Sequence, residues 1–517
     1  MSRTRRAVFS LASGYLAIIC NAVCTFASVP LALHYLTPKE FSLWANVVQV
    51  VGCLTLIEMG ITGAVGRFLI DHKDDASDGQ YGAVIKTGSL VLLAQGLCIA
   101  AGGIAVSFCL RQLFPKVPEE LQPPFQTLVA GSCIIAGFFF SGRVLMAVLQ
   151  AHQRFDSINY TSIWQLLAGF ATQWVTFHFG WKLNSLLAAS FVSAFVGVAG
   201  NLWSVRRLKL FPASNNWGRL SRKVFKDVFG FANELFMLSV GLQLLNGSQV
   251  MIITNTVSLE AGAVWAVATK VVPMAYQFVQ RIFDFSAGAF GEMIVRGEWD
   301  TLKRRYRDVL LLTASVAVFA SASVAVCNSG FLHVWMPEKW KLLLAGADWP
   351  WWNDALIGAL LLLNCVTRCQ IGLSGYAKQI GRMRWIYFLE GAAFVGGSLI
   401  VGHYFGMTGV IVVAIVANLA CSGSYGFRWA GRYLDVGAGE ILGRWLRPAL
   451  DYLVLLLPVV ALLWWGTFGM PPLLKLIINV AVMSIAGLGL MWRMGLTLEL
   501  RELVKTMLGK VRARLRS

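Results

Sequence analysis

Runs of about twenty or more apolar residues recur along the whole of this chain, and they constrain its fold more than any motif does. Candidate spans lie near 9–35, 42–66, 84–110, 124–150, 157–178, 183–204, 227–253, 260–291, 308–333, 353–377, 384–404, 407–430, 447–467 and 473–492. A lipid core of about 30 Å calls for about 20 apolar residues of helix. In lipid, only helices and closed barrels satisfy their own backbone polar groups. The expected fold is an all-α polytopic membrane protein with about 14 transmembrane helices. Composition agrees: 57% of residues are hydrophobic, 14% are charged and mean hydropathy is +0.65, more apolar surface than a soluble domain holds.

The charges then orient the chain. The formal net charge is +18, but the basic residues form no compact patch, so no nucleic-acid partner is expected. They alternate with the spans instead. Odd-numbered connections (36–41, 178–184, 255–260, 403–409, 468–472) are short and poor in Lys and Arg. Even-numbered ones are basic, as in Arg206, Arg207, Lys209, Arg219, Arg222, Lys223 and Lys226, or Arg296, Lys303, Arg304, Arg305 and Arg307. With Arg3, Arg5 and Arg6 ahead of the first span, the positive-inside rule places both termini in the cytoplasm.

Two correspondences at one offset suggest a duplicated chain. Arg368 follows Arg143 by 225 residues on a matching apolar helix pattern, and Gly288-Ala-Phe-Gly291 follows Gly63-Ala-Val-Gly66 by the same 225. The expected organisation is an N-terminal six-helix bundle (1–210), a connecting loop (211–226), a second, parallel six-helix bundle (227–432), two additional spans (433–492) and a basic amphipathic tail (493–517). Two such bundles predict a transporter-like architecture with a cavity where the halves meet.

Several features receive plainer readings. Most of the ten cysteines lie inside apolar runs and behave as small hydrophobes; no His or carboxylate stands near them at metal-ligand spacing, so no metal site is expected. The basic start MSRTRR precedes too long an apolar run for a cleaved signal and is read as the beginning of the first span. Trp335, Trp340, Trp349, Trp351 and Trp352 cluster in one external connection, where aromatic anchoring at the interface explains them more simply than sugar stacking. Leu496, Leu500, Leu503, Met507 and Val511 fall at helical spacing among Lys505, Lys510, Arg512, Arg514 and Arg516, the pattern of an interfacial helix held by anionic lipid.

Charges inside the apolar runs are the candidate functional residues, because lipid penalises each by several kcal/mol. Lys86, Glu292 and Asp451 lie near an interface and are read as solvated. Arg281 and Asp284, three apart on one helix, could neutralise each other. As a set, Glu58, Arg143, Glu234, Arg281, Asp284 and Arg368 fall in one half of the bilayer, and Glu58 and Asp284 correspond within one residue under the 225 offset. Each half thus offers a carboxylate and an arginine at a similar depth. Arg143, Arg368, Lys270 and Arg281 are the candidate binders of an anionic, phosphate-bearing head group, which guanidinium fork geometry suits. Glu58, Glu234 and Asp284 are the candidate ion-coupling or gating carboxylates. An ion-pair latch between the halves is the structural rival, compatible with ligand phosphate displacing the carboxylates.

These residues carry a resemblance. Tyr35-Leu-Thr-Pro-Lys-Glu-Phe-Ser-Leu-Trp44 resembles the YLG…FGLW connection of bacterial polysaccharide flippases. Glu58-Met-Gly60 followed by Arg67 is similar to their acidic-x-Gly…Arg pattern, with Glu58 where an aspartate is usual and Ser42 where a glycine is usual. Val264-Trp-Ala-Val-Ala-Thr-Lys270 resembles the start of their eighth helix. The chain is identified on these motifs as a member of the multidrug/oligosaccharidyl-lipid/polysaccharide exporter (MOP) superfamily, of the O-antigen-type flippase kind. The resemblance implies a flippase that moves undecaprenyl-diphosphate-linked oligosaccharide across the bacterial inner membrane by alternating access. It implies no cofactor, with H+ or Na+ as the candidate coupling ion, and lipid-diphosphate-linked oligosaccharide, membrane lipid and polysaccharide assembly proteins as partners.

Other classes fit less well. A MATE-like drug/cation antiporter would favour acidic over basic cavity residues, against Arg143 and Arg368. A membrane-embedded polysaccharide polymerase or ligase needs catalytic groups in an external loop, where only His333, Glu338, Asp348 and Asp354 are on offer. No phosphate-cradling glycine loop of the Walker type is present, so ATP hydrolysis is not expected, and the chain is read as a non-enzyme.

Overall fold

The structure is a computed structural model. It describes residues 3–58, 60–72, 79–213, 216–220, 222–377, 379–497 and 499–502, with the side chains of 3–12, 71, 222–224, 227–235, 285, 287 and 288 outside the description. Among the described residues every regular element is helical. Ten helices are long and apolar enough to cross a membrane, and a bent pair over 236–256 adds another. One of the ten, Met383–Tyr433, holds two of the expected spans, divided at Gly406, whose φ of 60° lies in the left-handed region that favours glycine. All fourteen expected spans fall on a helix or on a helix pair.

The chain forms two compact units, Met1–Ala263 and Val264–Ser517. The first contains α1 (Arg3–Tyr35), α2 (Pro38–Leu54), α3 (Ile61–His72), α4 (Gln80–Leu113), α5 (Gln122–Phe140), α6 (Arg143–Ala151), α7 (Phe155–His178), α8 (Asn184–Arg207), α9 (Arg222–Gly247) and α10 (Gln249–Thr256). Polar contacts tie 254–260 to this unit. Lys39 pairs with Glu260 at 3.2 Å, Asn46 donates to Thr254 at 2.9 Å, and the Lys116 ammonium donates to the carbonyls of Thr256 and Val257 at 2.6 and 2.8 Å.

Local chemistry explains the elements that position the site. Thr37-Pro-Lys-Glu40 is a capping box. The Glu40 amide donates to Thr37 Oγ1 at 3.3 Å, the Thr37 amide donates to the Glu40 carboxylate at 2.8 Å, and Pro38 stands at the first helical position. This is the physical content of the first family-like motif. α4 and α5 cross closely because a Cβ added at Gly96 would lie 2.3 Å from the Gly137 carbonyl oxygen. Small residues at such a crossing let membrane helices approach through van der Waals contact.

The second unit contains α11 (Leu259–Ala268, which begins just before the boundary), α12 (Val271–Arg296), α13 (Trp299–Trp335), α14 (Pro337–Leu344), α15 (Trp351–Tyr376), α16 (Met383–Asn418), α17 (Ser424–Tyr433), the single turn α18 (Ala438–Glu440), α19 (Arg447–Gly466) and α20 (Pro472–Val482). The most buried of the long spans is α13, covered by α12, α15, α19 and α20. The two last spans are tied to it by side chains that reach its backbone. Trp464 Nε1 donates to the Ala325 carbonyl at 3.1 Å and Asn479 Nδ2 to the Val326 carbonyl at 2.6 Å.

Two expectations need correction. Leu496 and Leu500, read as the lipid-facing edge of a tail, are buried in the core of the second unit with Leu302, Leu310, Leu434 and Trp445; protein covers that apolar face. Leu503, Met507 and Val511 lie outside the described residues. Of the five tryptophans over 335–352, Trp340 and Trp349 are core, the latter edge-on to Trp265, while Trp351 and Trp352 are exposed.

Candidate functional site

In the first unit the charges sit where helices break. α2 ends in a single tight turn, Thr55–Glu58, and Gly60 turns the chain at φ 74° before α3 begins at Ile61. The break frees backbone carbonyls, and Gln95 of α4 donates Nε2 to that of Ile57 at 2.5 Å. A second break follows α5, where Ser141 and Gly142 form a turn and Arg143 opens α6. Gly142 lies so close to α8 that an added Cβ would stand 2.5 Å from Val198. α3 packs on α6, which brings the two breaks together. There the Arg143 guanidinium donates to the Glu58 carboxylate, and its carbon sits 4.4 Å from the centre of the Phe140 ring. Both side chains are half-buried, 38% and 22% exposed.

The second unit presents its charges differently. α12 and α15 run unbroken through Asp284 and Arg368. The break lies instead at Thr269 and Lys270, between α11 and α12, where Asn328 of α13 donates to the freed Ala268 carbonyl at 3.0 Å. Lys270 is half-buried at that break. Gln280 of α12 donates to the Cys365 carbonyl at 3.2 Å and holds α12 beside the turn carrying Arg368. Arg368 is half-buried and shares an electrostatic neighbourhood with Asp284, Tyr276 and Tyr376. Among the described residues Arg368 has no ion pair, and Arg281 and Asp284 do not pair with each other; both are exposed. The two guanidiniums related by the 225 offset therefore differ: one is held by a carboxylate, and the other has none among the described residues. The side chain of Glu234 lies outside the described residues.

The three residues read as lying near an interface are exposed. Glu292 pairs with Arg296 at 2.5 Å and Asp451 with Arg447 at 3.7 Å, all largely exposed. Lys86 donates to the Gly218 carbonyl at 3.1 Å beside Trp217, seating the connecting loop on α4. Asp354 is buried, accepting from Asn328 at 2.8 Å and Trp349 Nε1 at 3.0 Å.

One cluster surrounds Glu390, a charge that the sequence places inside an apolar span but outside the candidate site residues. Glu390 of α16 is 1% exposed and accepts the Ser422 amide at 3.0 Å. Ser422 lies in a widened π turn, Leu419–Gly423, and Asn418 beside it bonds Thr367 and Asn364 of α15 at 3.3 and 3.4 Å. π turns recur at functional sites. The available signal was a carboxylate and two asparagines isolated in runs of apolar residues.

Bundled helices, ten of them long and apolar enough to cross a membrane, define a multi-pass membrane protein. Solved structures bear out the fold. The lipid II flippase MurJ, inward closed, matches at a TM-score of 0.63 and 11% identity over 91% of this chain and 97% of that one. An inward-facing multidrug resistance MATE family transporter of the MOP superfamily matches at 0.62 and 13% identity, over 83% and 98%. A MOP superfamily transporter from Pyrococcus furiosus, described by the reverse polarity of its binding pocket, matches at 0.52 and 12% identity, over 81% and 95%. No curated protein matches by sequence. Residues 34–344, more than half of the chain, match the model of the family described as polysaccharide biosynthesis protein, and the chain belongs to that family.

Proposed function

We propose that this protein is a flippase that carries an undecaprenyl-diphosphate-type lipid-linked oligosaccharide across the bacterial cytoplasmic membrane by alternating access, for assembly of cell-surface polysaccharide. The observation that carries the reading is an arginine inside an apolar span in each unit of a polysaccharide-biosynthesis chain: Arg143 held by Glu58, and Arg368 without a carboxylate partner among the described residues. A diphosphate offers the planar acceptors that guanidinium binds in pairs. In the second unit Arg368, Lys270 and Arg281 are the groups proposed to bind phosphate. In the first unit phosphate competes with Glu58 for Arg143, so binding there couples to release of that ion pair. Glu58, and Asp284 at the corresponding place, are the groups proposed to take up H+ or Na+ for the return step. The basic even-numbered connections support cytoplasmic termini. With that orientation, each negative charge moved outward gains ~2.3 kcal/mol per 100 mV.

Leaflet-resolved measurement of lipid-linked oligosaccharide in vesicles containing the purified protein tests the proposal. Protein-dependent movement that is lost in the double variant Arg143→Gln/Arg368→Gln is the expected result. Movement of lipophilic cations instead, with none of the lipid-linked sugar, would establish the antiporter reading and overturn this one.

A further inference from the structure

A separate cationic cavity lies where the Arg307 end of α13 meets the start of α19 and the close of the last span. Its volume is about 790 Å3. Five guanidinium side chains line it, from Arg307, Arg444, Arg447, Arg493 and Arg501, against three carboxylates. Those carboxylates neutralise it incompletely. Glu499 stands 3.2 Å from Arg307, but Glu440 is 3.8 Å from Arg444 and Asp451 3.7 Å from Arg447, with both of those arginines largely exposed, so water screens the last two pairs strongly. Arg501 donates to the backbone carbonyls of Leu496 and Arg493. Arg493 has no ion pair among the described residues. Asp308, beside the lining, also holds Arg307 at 3.1 Å, so the five arginines exceed the carboxylates around them by one.

Apolar residues also line it, among them the buried Trp445 and Leu496. From the cavity an exposed apolar track runs along α19. Leu450 and Val454 share a helix face with Arg447 and Asp451, and Leu457 continues it; all three apolar side chains are open. A cationic mouth leading to an apolar track matches a phospholipid better than a free anion.

We propose that this cavity binds the phosphate head group of an anionic membrane phospholipid, with one acyl chain laid along Val454 and Leu457. The site is separate from the arginines assigned to the cargo and stands or falls independently of that assignment. The test uses the full-length protein in phosphatidylcholine nanodiscs titrated with phosphatidylglycerol, read by thermal melting, with inorganic phosphate as a second arm. Phosphatidylglycerol is expected to raise the Tm. A basic residue near an anionic lipid surface contributes about 1 kcal/mol, roughly fivefold in affinity. Arg444→Gln alone is thus expected to raise the half-saturating lipid fraction roughly fivefold, and Arg444→Gln/Arg447→Gln/Arg493→Gln at least ~10-fold. The Tm in pure phosphatidylcholine should stay unchanged; if the triple variant does not fold, the single one decides. The proposal is overturned by equal stabilisation from inorganic phosphate, or by no response to phosphatidylglycerol in the unaltered protein. It is also overturned if Arg512→Gln/Arg514→Gln/Arg516→Gln abolishes the response while the cavity variants leave it intact.

Discussion

Glu58→Gln and Arg143→Gln are expected to move head-group affinity in opposite directions, although they break the same ion pair. Exposed pairs contribute ~0.2–1 kcal/mol and removal of one partner from a fully buried pair costs ~3–5 kcal/mol. With side chains 22% and 38% exposed, this pair belongs between those limits, discounted for water, at about 1–2 kcal/mol. Glu58→Gln removes the competitor for the guanidinium, so phosphate binding should tighten by roughly 5–30-fold. Arg143→Gln removes charge-assisted hydrogen bonds of ~1.5–3 kcal/mol in total and should weaken binding by ~10–150-fold. Flipping should slow in both variants, in one because the head group is not captured and in the other because it is not released. The assay is calorimetric binding of a short polyprenyl diphosphate to the purified protein, beside the vesicle flipping measurement. If both substitutions weaken binding, or Glu58→Gln leaves it unchanged, the competition mechanism is refuted and the pair is a structural brace across two helix breaks.

Other outcomes follow from the same geometry. Arg368→Lys should recover only a small part of the activity lost in Arg368→Gln, since an ammonium cannot grip two phosphate oxygens in a fork; equal flipping by Lys and Arg in the vesicle assay would count against bidentate binding. Asn479→Leu removes the 2.6 Å bond to the Val326 carbonyl and should lower stability by about 1–2 kcal/mol, read as a Tm drop of a few degrees. Gly96→Leu forces a side chain onto the Gly137 carbonyl and should prevent accumulation of folded protein, measured by size-exclusion of the detergent extract, whereas Gly63→Ala, with open space at its Cβ, should behave as the parent. Asp354→Leu leaves the Asn328 and Trp349 donors unsatisfied in a buried site and should cost ~2–4 kcal/mol; an unchanged melting curve would contradict the network.

Hydropathy and charge determined a good deal by themselves. The helical membrane fold, the place of each span and the alternation of basic connections were legible because transfer of a helix into lipid is nearly additive over its own residues. Intramembrane charge drew attention to Arg143, Arg368 and Glu58 for the same reason: each is unfavourable in lipid whatever its neighbours are. The Thr37–Glu40 cap, quoted from the sequence only as part of a family-like motif, is local, since all the atoms involved lie within four residues.

The tertiary structure decided whom each charge meets. Arg143 and Glu58 pair because α3 packs on α6 and both helices break beside the contact, whereas Arg368 sits on an unbroken helix; an offset of 225 residues relates their positions but not their partners. The burial of Leu496 and Leu500, and the gathering of Arg307, Arg447 and Arg493 about one cavity, likewise join segments far apart in the chain. Helix rotation and pairing are set by how faces fit across such distances. An apolar residue is equally content against lipid or against another helix, so within a membrane the hydrophobic pattern that finds a span carries little information about which side of it faces protein.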